Sequence, residues 1–179
     1  MLERQVSLLR GINVGRANRI AMAQLRAIYE QLGCREVTTY VQSGNVILVS
    51  DDEPGELSRH AEVALALEYG LYVRILGRTH LQLGQIVAGD PYPAAEPTQH
   101  QVVFLSEPLG PGDLAALGRA ASGGESFTTI NRELHLLQPN GIGQSKLGQA
   151  LSERNLGVVA TARNWRTVPQ LHTLSRAQG

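Results

Sequence analysis

The sequence predicts an α+β protein in which a ferredoxin-like βαββαβ domain is followed by a second α+β domain of similar order. Three observations carry this. Short apolar runs of strand length alternate with stretches of helical period, and in each half two strand-like runs follow one another across a turn. Between the halves, three prolines in "GDPYPAAEP" mark a linker and set the domains at 1–90 and 91–179.

Taken in order, "ERQVSLLR" reads as a buried strand that opens into the glycine-rich loop "GINVGRANRIA". A helix follows over about 22–33, with Met22, Leu25, Ile28, Tyr29 and Leu32 at helical spacing and Gly33 placed to end it. The strands "EVTTYVQ" and "NVILVS" flank Ser43-Gly44, where a hairpin needs a residue with positive φ. A second helix over about 55–69 leads to the strand "LYVRIL" at 71–76, and a short helix occupies about 79–88. Beyond the linker come the strand "HQVVFLSE", a helix near 111–121, the pair "ESFTTI" and "RELHLLQ" joined near Asn131, and a helix from Ser145 to Arg154. The short strand "GVVATARNW" and a last helix from about Thr167 complete the order. The second half thus repeats the element order of the first, although the two share no obvious residue pattern.

With 179 residues, 42% of them hydrophobic, the chain is long enough to bury a sizeable core. Charged residues make up 18% and the formal net charge is zero, which excludes an acidic disordered chain and a globally basic nucleic-acid binder. The charge is unevenly distributed: residues 1–40 carry six Arg against three acids, 41–140 five Arg against twelve acids, and 141–179 five basic residues against Glu153. Two basic ends suit a small anion better than a long polyanion. The single cysteine, Cys34, excludes an internal disulfide and, with the lack of a signal peptide, points to a cytoplasmic setting. No apolar run approaches the roughly 18 residues of a transmembrane helix, so no membrane partner is expected.

Four polar stretches stand out. In the first loop Arg10, Gly11, Asn13, Gly15, Arg16, Asn18 and Arg19 precede a helix, where glycines let backbone N–H groups approach an anion. The spacing matches neither G-x-G-x-x-G nor a Walker loop, and the glycines can equally be mere loop-formers. At the hairpin tip, Gln42, Ser43 and Asn45 either offer hydrogen bonds to a ligand or build the turn. In "PNGIGQSKL", Ser145 is a competent N-cap and Lys146 is the only lysine among sixteen basic residues, set in a first helical turn where the dipole disfavours a cation. In "TARNWRT", Arg163 and Arg166 can clamp an anion while Trp165, the only tryptophan, either stacks on a ring or joins the core.

The remaining chemistry is sparse. The histidines, His60, His80, His100, His135 and His172, show no metal-ligand spacing, so no metal is expected, and most lie on predicted strands or helices where a surface position is the default. Cys34 has no His or second Cys near it in sequence. Ser145 and Lys146 do not form a Ser-Lys dyad, since neighbours on a helix point about 100° apart. No cofactor motif and no general base is legible, which leaves enzymatic activity open.

The stretches "SLLRGINVG", "YVQSGNV", "GIGQSKL" and "TARNWRTV", in this order, resemble the signature of an uncharacterised bacterial family, domain of unknown function 1697, over about residues 4–174. The resemblance implies a ferredoxin-like first domain and a second α+β domain, and brings no established activity. It implies that the distinctive polar positions are those of Arg10, Asn13, Gly15, Gln42, Ser43, Asn45, Ser145, Lys146, Arg163, Asn164, Trp165 and Thr167. The chain departs from the family pattern at Arg16, where a glycine is usual, at Arg166, where an asparagine is usual, and at Pro169-Gln170, where a lysine is expected.

The leading expectation is a protein that binds a small anionic ligand, a nucleotide or phosphorylated metabolite, in a cleft between the two domains. Arg10, Lys146 and Arg163 would contact the anion and Asn13, Asn45 and Asn164 would orient it. One alternative is a nucleic-acid-binding module, for which Tyr40 and Tyr72 are the only stacking candidates on the first-domain strands. Five phosphate contacts there would give a salt slope of only about −4. Another is that the polar loops serve as a domain or subunit interface, with self-association.

Overall fold

The computed structural model describes residues 2–177. The first half of the chain forms β1 (Glu3–Leu9), α1 (Met22–Gln31), β2 (Arg35–Tyr40), β3 (Asn45–Ser50), α2 (Pro54–Tyr69), β4 (Ile75–Thr79) and α3 (His80–Ala88). The second forms β5 (His100–Leu105), α4 (Pro111–Ala120), β6 (Ser126–Ile130), β7 (Glu133–Leu137), α5 (Lys146–Glu153), β8 (Ala160–Asn164) and α6 (Thr167–Leu174). The architecture is α+β, with two four-stranded antiparallel sheets and, among the described residues, six α-helices in two similar halves. The strand orders are β2-β3-β1-β4 and β6-β7-β5-β8. The contacts divide the chain into two compact units. One consists of the first 84 residues together with those from Gln170 onward, the other of Gln85–Pro169.

In the first unit one core joins Leu9 of β1, Val46 and Leu48 of β3 and Ile75 of β4 to Leu25, Ile28 and Tyr29 of α1 and Leu57, Ala61 and Leu65 of α2. The helical residues recur at intervals of three and four, the spacing that puts one apolar stripe on the sheet. Each fully buried Leu or Ile contributes about 1.5–3 kcal/mol relative to exposure. Pro54 opens α2, where its missing N–H costs nothing, and Gly70 closes it in the left-handed conformation at φ 63°.

The fourth strand corrects the expectation drawn from "LYVRIL". Residues 71–74 form no strand, and the ladder to β1 runs from Ile75, opposite Leu9, to Thr79, opposite Gln5. Gly77 lies inside that strand because a Cβ there would stand 2.6 Å from Pro54 Cβ and 2.8 Å from the Pro54 carbonyl oxygen. A glycine that looks like a strand breaker is thus a close approach between sheet and helix start. Tyr72 consequently lies off the sheet and is 85% exposed, so it forms no part of a stacking surface on the strands.

The second unit repeats the plan. Val103 and Leu105 of β5, Leu134 and Leu136 of β7, Leu117 of α4 and Leu147 of α5 form its core. Asn131 takes positive φ, 54°, in the β6–β7 turn. Register also reveals a residue echo absent from the linear sequence. Val6 of β1 faces Arg78 of β4, and Val102 of β5 faces Arg163 of β8. Both arginines are buried, and each donates from Nη1 to the carbonyl of the residue before it, Gly77 at 2.9 Å and Ala162 at 2.8 Å.

Candidate functional site

The loop between β1 and α1 turns through four left-handed residues, Gly11, Asn13, Gly15 and Asn18, with φ between 48° and 68°. Asn13 holds it closed. Its Oδ1 accepts the Ile20 N–H at 2.9 Å, while its Nδ2 donates to the carbonyls of Ile20 at 3.0 Å and Gln42 at 3.2 Å. The amide expected to orient a ligand therefore ties the loop to the hairpin tip. Arg10 is exposed at the end of β1, with its N–H on the Arg74 carbonyl at 2.9 Å, and Gly15 is exposed.

Closing this loop shapes a pocket of about 410 Å3 at the start of α1, lined by Asn13, Arg19, Ile20, Ala21, Met22, Gln24 and Gln42. The N-cap position of α1 is Ala21, no side chain caps the helix, and its first turn carries no acid. Gln24 Oε1 accepts the Ala21 N–H at 3.2 Å, half of a capping box. The other first-turn N–H groups have no intrahelical acceptor, as at any helix start. Arg19 and Gln42 are exposed at the rim.

At the hairpin tip the polar side chains build the turn. Asn45 is fully buried and donates from Nδ2 to the Tyr40 carbonyl at 3.0 Å and to Ser43 Oγ at 3.3 Å. Gly44, at φ 83°, admits no side chain, because a Cβ would stand 2.8 Å from Leu9 Cβ.

The start of α5 is furnished differently. Ser145 caps it as expected, accepting the Gly148 N–H at 2.9 Å. The anion beside it belongs to the protein: Glu125 Oε2 accepts the N–H groups of Leu147 at 3.2 Å and Ser122 at 3.1 Å. Burial raises the Glu125 pKa. The Ser145 hydroxyl and the N–H groups of Ser122, Leu147 and Lys146 outweigh that and leave it below its ordinary value. The Lys146 side chain is exposed and has no hydrogen bond or ion pair among the described residues. Nothing local in the sequence marks Glu125, twenty residues away, as the anion of this helix.

The "TARNWRT" stretch spans the end of β8 and the start of α6. Arg163 is 9% exposed and donates from Nη1 to Thr161 Oγ1 at 2.8 Å besides the Ala162 carbonyl; burial pushes its pKa down to about 10. Asn164 Oδ1 accepts the Thr167 N–H at 3.0 Å, so these two residues turn the chain into α6. Trp165 is half-buried and lies flat on the His100 imidazole, with centroids 4.3 Å apart and planes 16° from parallel. Its ring partner is thus a side chain of the protein.

His100 and His135 correct the expectation of surface histidines, since both are fully buried. The β5–β7 register puts His135 opposite Val102, one step along the same sheet face from His100, and His100 Nε2 lies 3.0 Å from His135 Nδ1. Asp90 Oδ1 stands 3.6 Å from His100 Nδ1. Burial lowers both pKa values, with Asp90 opposing, and burial with the adjacent His100 takes His135 to about 4. Cys34 is buried and its thiol is pushed up by burial, which keeps it a neutral, unreactive group. Among the described residues no group of three His, Cys, Asp or Glu could hold a metal ion, and no helix is long and apolar enough to cross a membrane.

Within the first unit, then, the structure brings Asn13 and Gln42 together at one pocket, with Ser43 and Asn45 in the adjoining turn. Within the second, Arg163, Asn164, Trp165 and Thr167 share the β8–α6 junction, and Ser145 and Lys146 share the start of α5. Sequence reasoning named Arg19 within its loop without selecting it, and missed Gln24, Glu125 and the histidine pair.

No curated protein matches the chain. A solved structure described as conserved bacterial protein SP0830 from Streptococcus pneumoniae is similar in fold. It has a TM-score of 0.81 and 20% identity, and the match covers 98% of this chain and 100% of that one. A family described as a protein of unknown function, DUF1697, matches residues 2–135, which include "SLLRGINVG" and "YVQSGNV" but not the two later blocks. With three quarters of its length inside that match, the chain belongs to the DUF1697 family.

Proposed function

We propose that this protein binds a small anionic ligand, a phosphorylated metabolite or nucleotide, in the pocket at the start of α1. The observation that carries the reading is a pocket of about 410 Å3 at a helix start with no capping side chain, rimmed by Arg19. The helix dipole gives an exposed anion only about 0.3–1 kcal/mol, so a guanidinium able to make charge-assisted hydrogen bonds must add the rest. Gln24 and Gln42 supply neutral donors, Ile20 and Met22 contribute apolar lining, and Asn13 holds the closed loop that shapes the pocket.

The test is thermal denaturation with inorganic phosphate, sugar phosphates and nucleotides. A ligand at 100 times its Kd adds about 2.7 kcal/mol, which for a chain of this size raises Tm by about 5–10 °C. Arg19→Ala should abolish the rise. If none of these compounds moves Tm, the protein has no such site.

We also propose that each half, 1–90 and 91–179 in chain order, is a ferredoxin-like plait. The element order βαββαβ and the antiparallel strand order, fourth-first-third-second in both halves, support this. A cytoplasmic setting fits a lone, buried and reduced Cys34.

A further inference from the structure

The buried imidazole pair takes no part in the α1 pocket and has its own geometry. Asp90, in the segment before β5, faces His100 Nδ1, so the tautomer that suits the carboxylate carries its hydrogen there. His100 Nε2 then accepts from His135 Nδ1–H at 3.0 Å. In this arrangement His100 Nε2 is occupied and its Nδ1 faces the Asp90 carboxylate at ion-pair distance without a hydrogen bond. The basic lone pair left is that of His135 Nε2, which is buried and has no hydrogen-bond partner. A proton arriving there becomes a buried N–H donor on a cation with no acceptor.

What the pair supports is a single tie. The Trp165 ring stacks on the His100 imidazole, and the Trp165 backbone N–H donates to the His100 carbonyl at 2.8 Å. Residues 164–167 connect β8 to α6, so this tie holds the segment through which the chain leaves the second unit for the first. We propose that the Asp90–His100–His135–Trp165 cluster is an acid-released latch, closed while both imidazoles are neutral and opened when a proton enters at His135 Nε2, displaces the His135 ring and loosens the His100–Trp165 stack it supports. The other titratable or charged groups on that side of the sheet are Glu133 on β7, Arg163 on β8 opposite Val102, and the Tyr92 phenol, whose ring stands edge-on to His100 at 5.4 Å. Glu133 and Arg163 are buried and have interactions of their own, and Tyr92 OH is bonded to Thr128 Oγ1 at 3.0 Å. None of these groups is hydrogen-bonded to His135 Nε2. The low His135 pKa agrees with this geometry.

Trp165 is the only tryptophan, so intrinsic emission reads the latch directly. With the full chain taken from pH 8 to pH 4, Trp emission should shift to the red as acid releases the ring, at a pH where far-UV circular dichroism still shows folded secondary structure. His135→Asn keeps a donor where Nδ1 stood and removes the titrating nitrogen, and should abolish the shift. His60→Asn, at an exposed site, should leave it unchanged. Emission that is flat down to global unfolding, or a shift that persists in His135→Asn, overturns the proposal. Should that variant not fold, the Cε1–H resonances of the wild type decide. Coincident midpoints for a buried histidine and for Trp emission support the latch, and separate midpoints overturn it.

Discussion

Helices α1 and α5 each follow a glycine-bearing polar loop, yet their starts are built in opposite ways. At α5 the protein supplies everything a helix start requires: Ser145 caps it, and the Glu125 carboxylate takes the place an external anion would fill. At α1 the protein supplies Asn13 to shape the approach, and Ala21 stands where a capping side chain would be. The difference teaches that the same sequence signal, a polar loop before an amphipathic helix, marks a finished joint in one place and an open one in the other. It also bears on Lys146. A cation in a first helical turn conflicts with the dipole, and at this helix start the Glu125 carboxylate accepts the Leu147 N–H while the Lys146 side chain stays exposed.

The comparison can be broken most severely at Asn13. Replacing it with Ala removes three hydrogen bonds and leaves a residue with a Cβ at φ 54°, which should cost about 3 kcal/mol in urea denaturation. Asn13→Gly should recover the backbone part of that loss while still emptying the pocket of its support. Next in size, Glu125→Gln should cost about 1 kcal/mol, because the amide oxygen can still accept the N–H groups and only the charge assistance is lost. Because folding lowers the Glu125 pKa, its contribution is complete above the ordinary value of 4.5 and is lost as the pH falls below it. The wild type and Glu125→Gln should therefore converge in acid. The more telling variant is Glu125→Ala, which opens the start of α5 and should make Tm rise with inorganic phosphate even when Arg19 is also changed to Ala.

Ser145→Ala should cost about 1 kcal/mol, the usual price of an N-cap, with no effect on ligand binding at α1. The smallest effects fall on the two cations. Lys146→Met should change stability by less than about 0.5 kcal/mol, as for other exposed side chains without partners. Arg19→Ala should be equally silent in urea and visible only as the lost ligand shift in thermal denaturation. A large loss of stability from either would mean that the two helix starts are not distinguished as described.

What could be read from the chain is what local chemistry decides. Ser145 as a cap, Gly33 and Asn131 at turns and the apolar spacing of α1 follow from backbone and side-chain preferences within a few residues. The fourth strand was displaced because Gly77 looks unfavourable until Pro54, 23 residues earlier, is packed against it. Glu125, His100 and His135 were hidden for a related reason. The partner of Glu125 at the start of α5, Leu147, is 22 residues away in the chain, and the histidines are brought together by strand register, where a slip of one residue in β7 would turn His135 to the opposite sheet face. The polar loops were recognised as distinctive, but their side chains are spent largely on their own turns, as Asn13, Asn45 and Asn164 each show.

The division of the chain between its units also matters for synthesis. The first unit includes the residues from Gln170 onward, where His172 stacks on His80 at 4.5 Å and Ser175 Oγ lies 2.8 Å from His80 Nδ1. A ribosome adding about 5–20 residues per second needs on the order of ten seconds to go from Gly84 to Gln170. The unit begun first is thus the last to be completed. A nascent chain arrested before Gln170 should show protease-sensitive sites around α3 that close only when the end of the chain emerges.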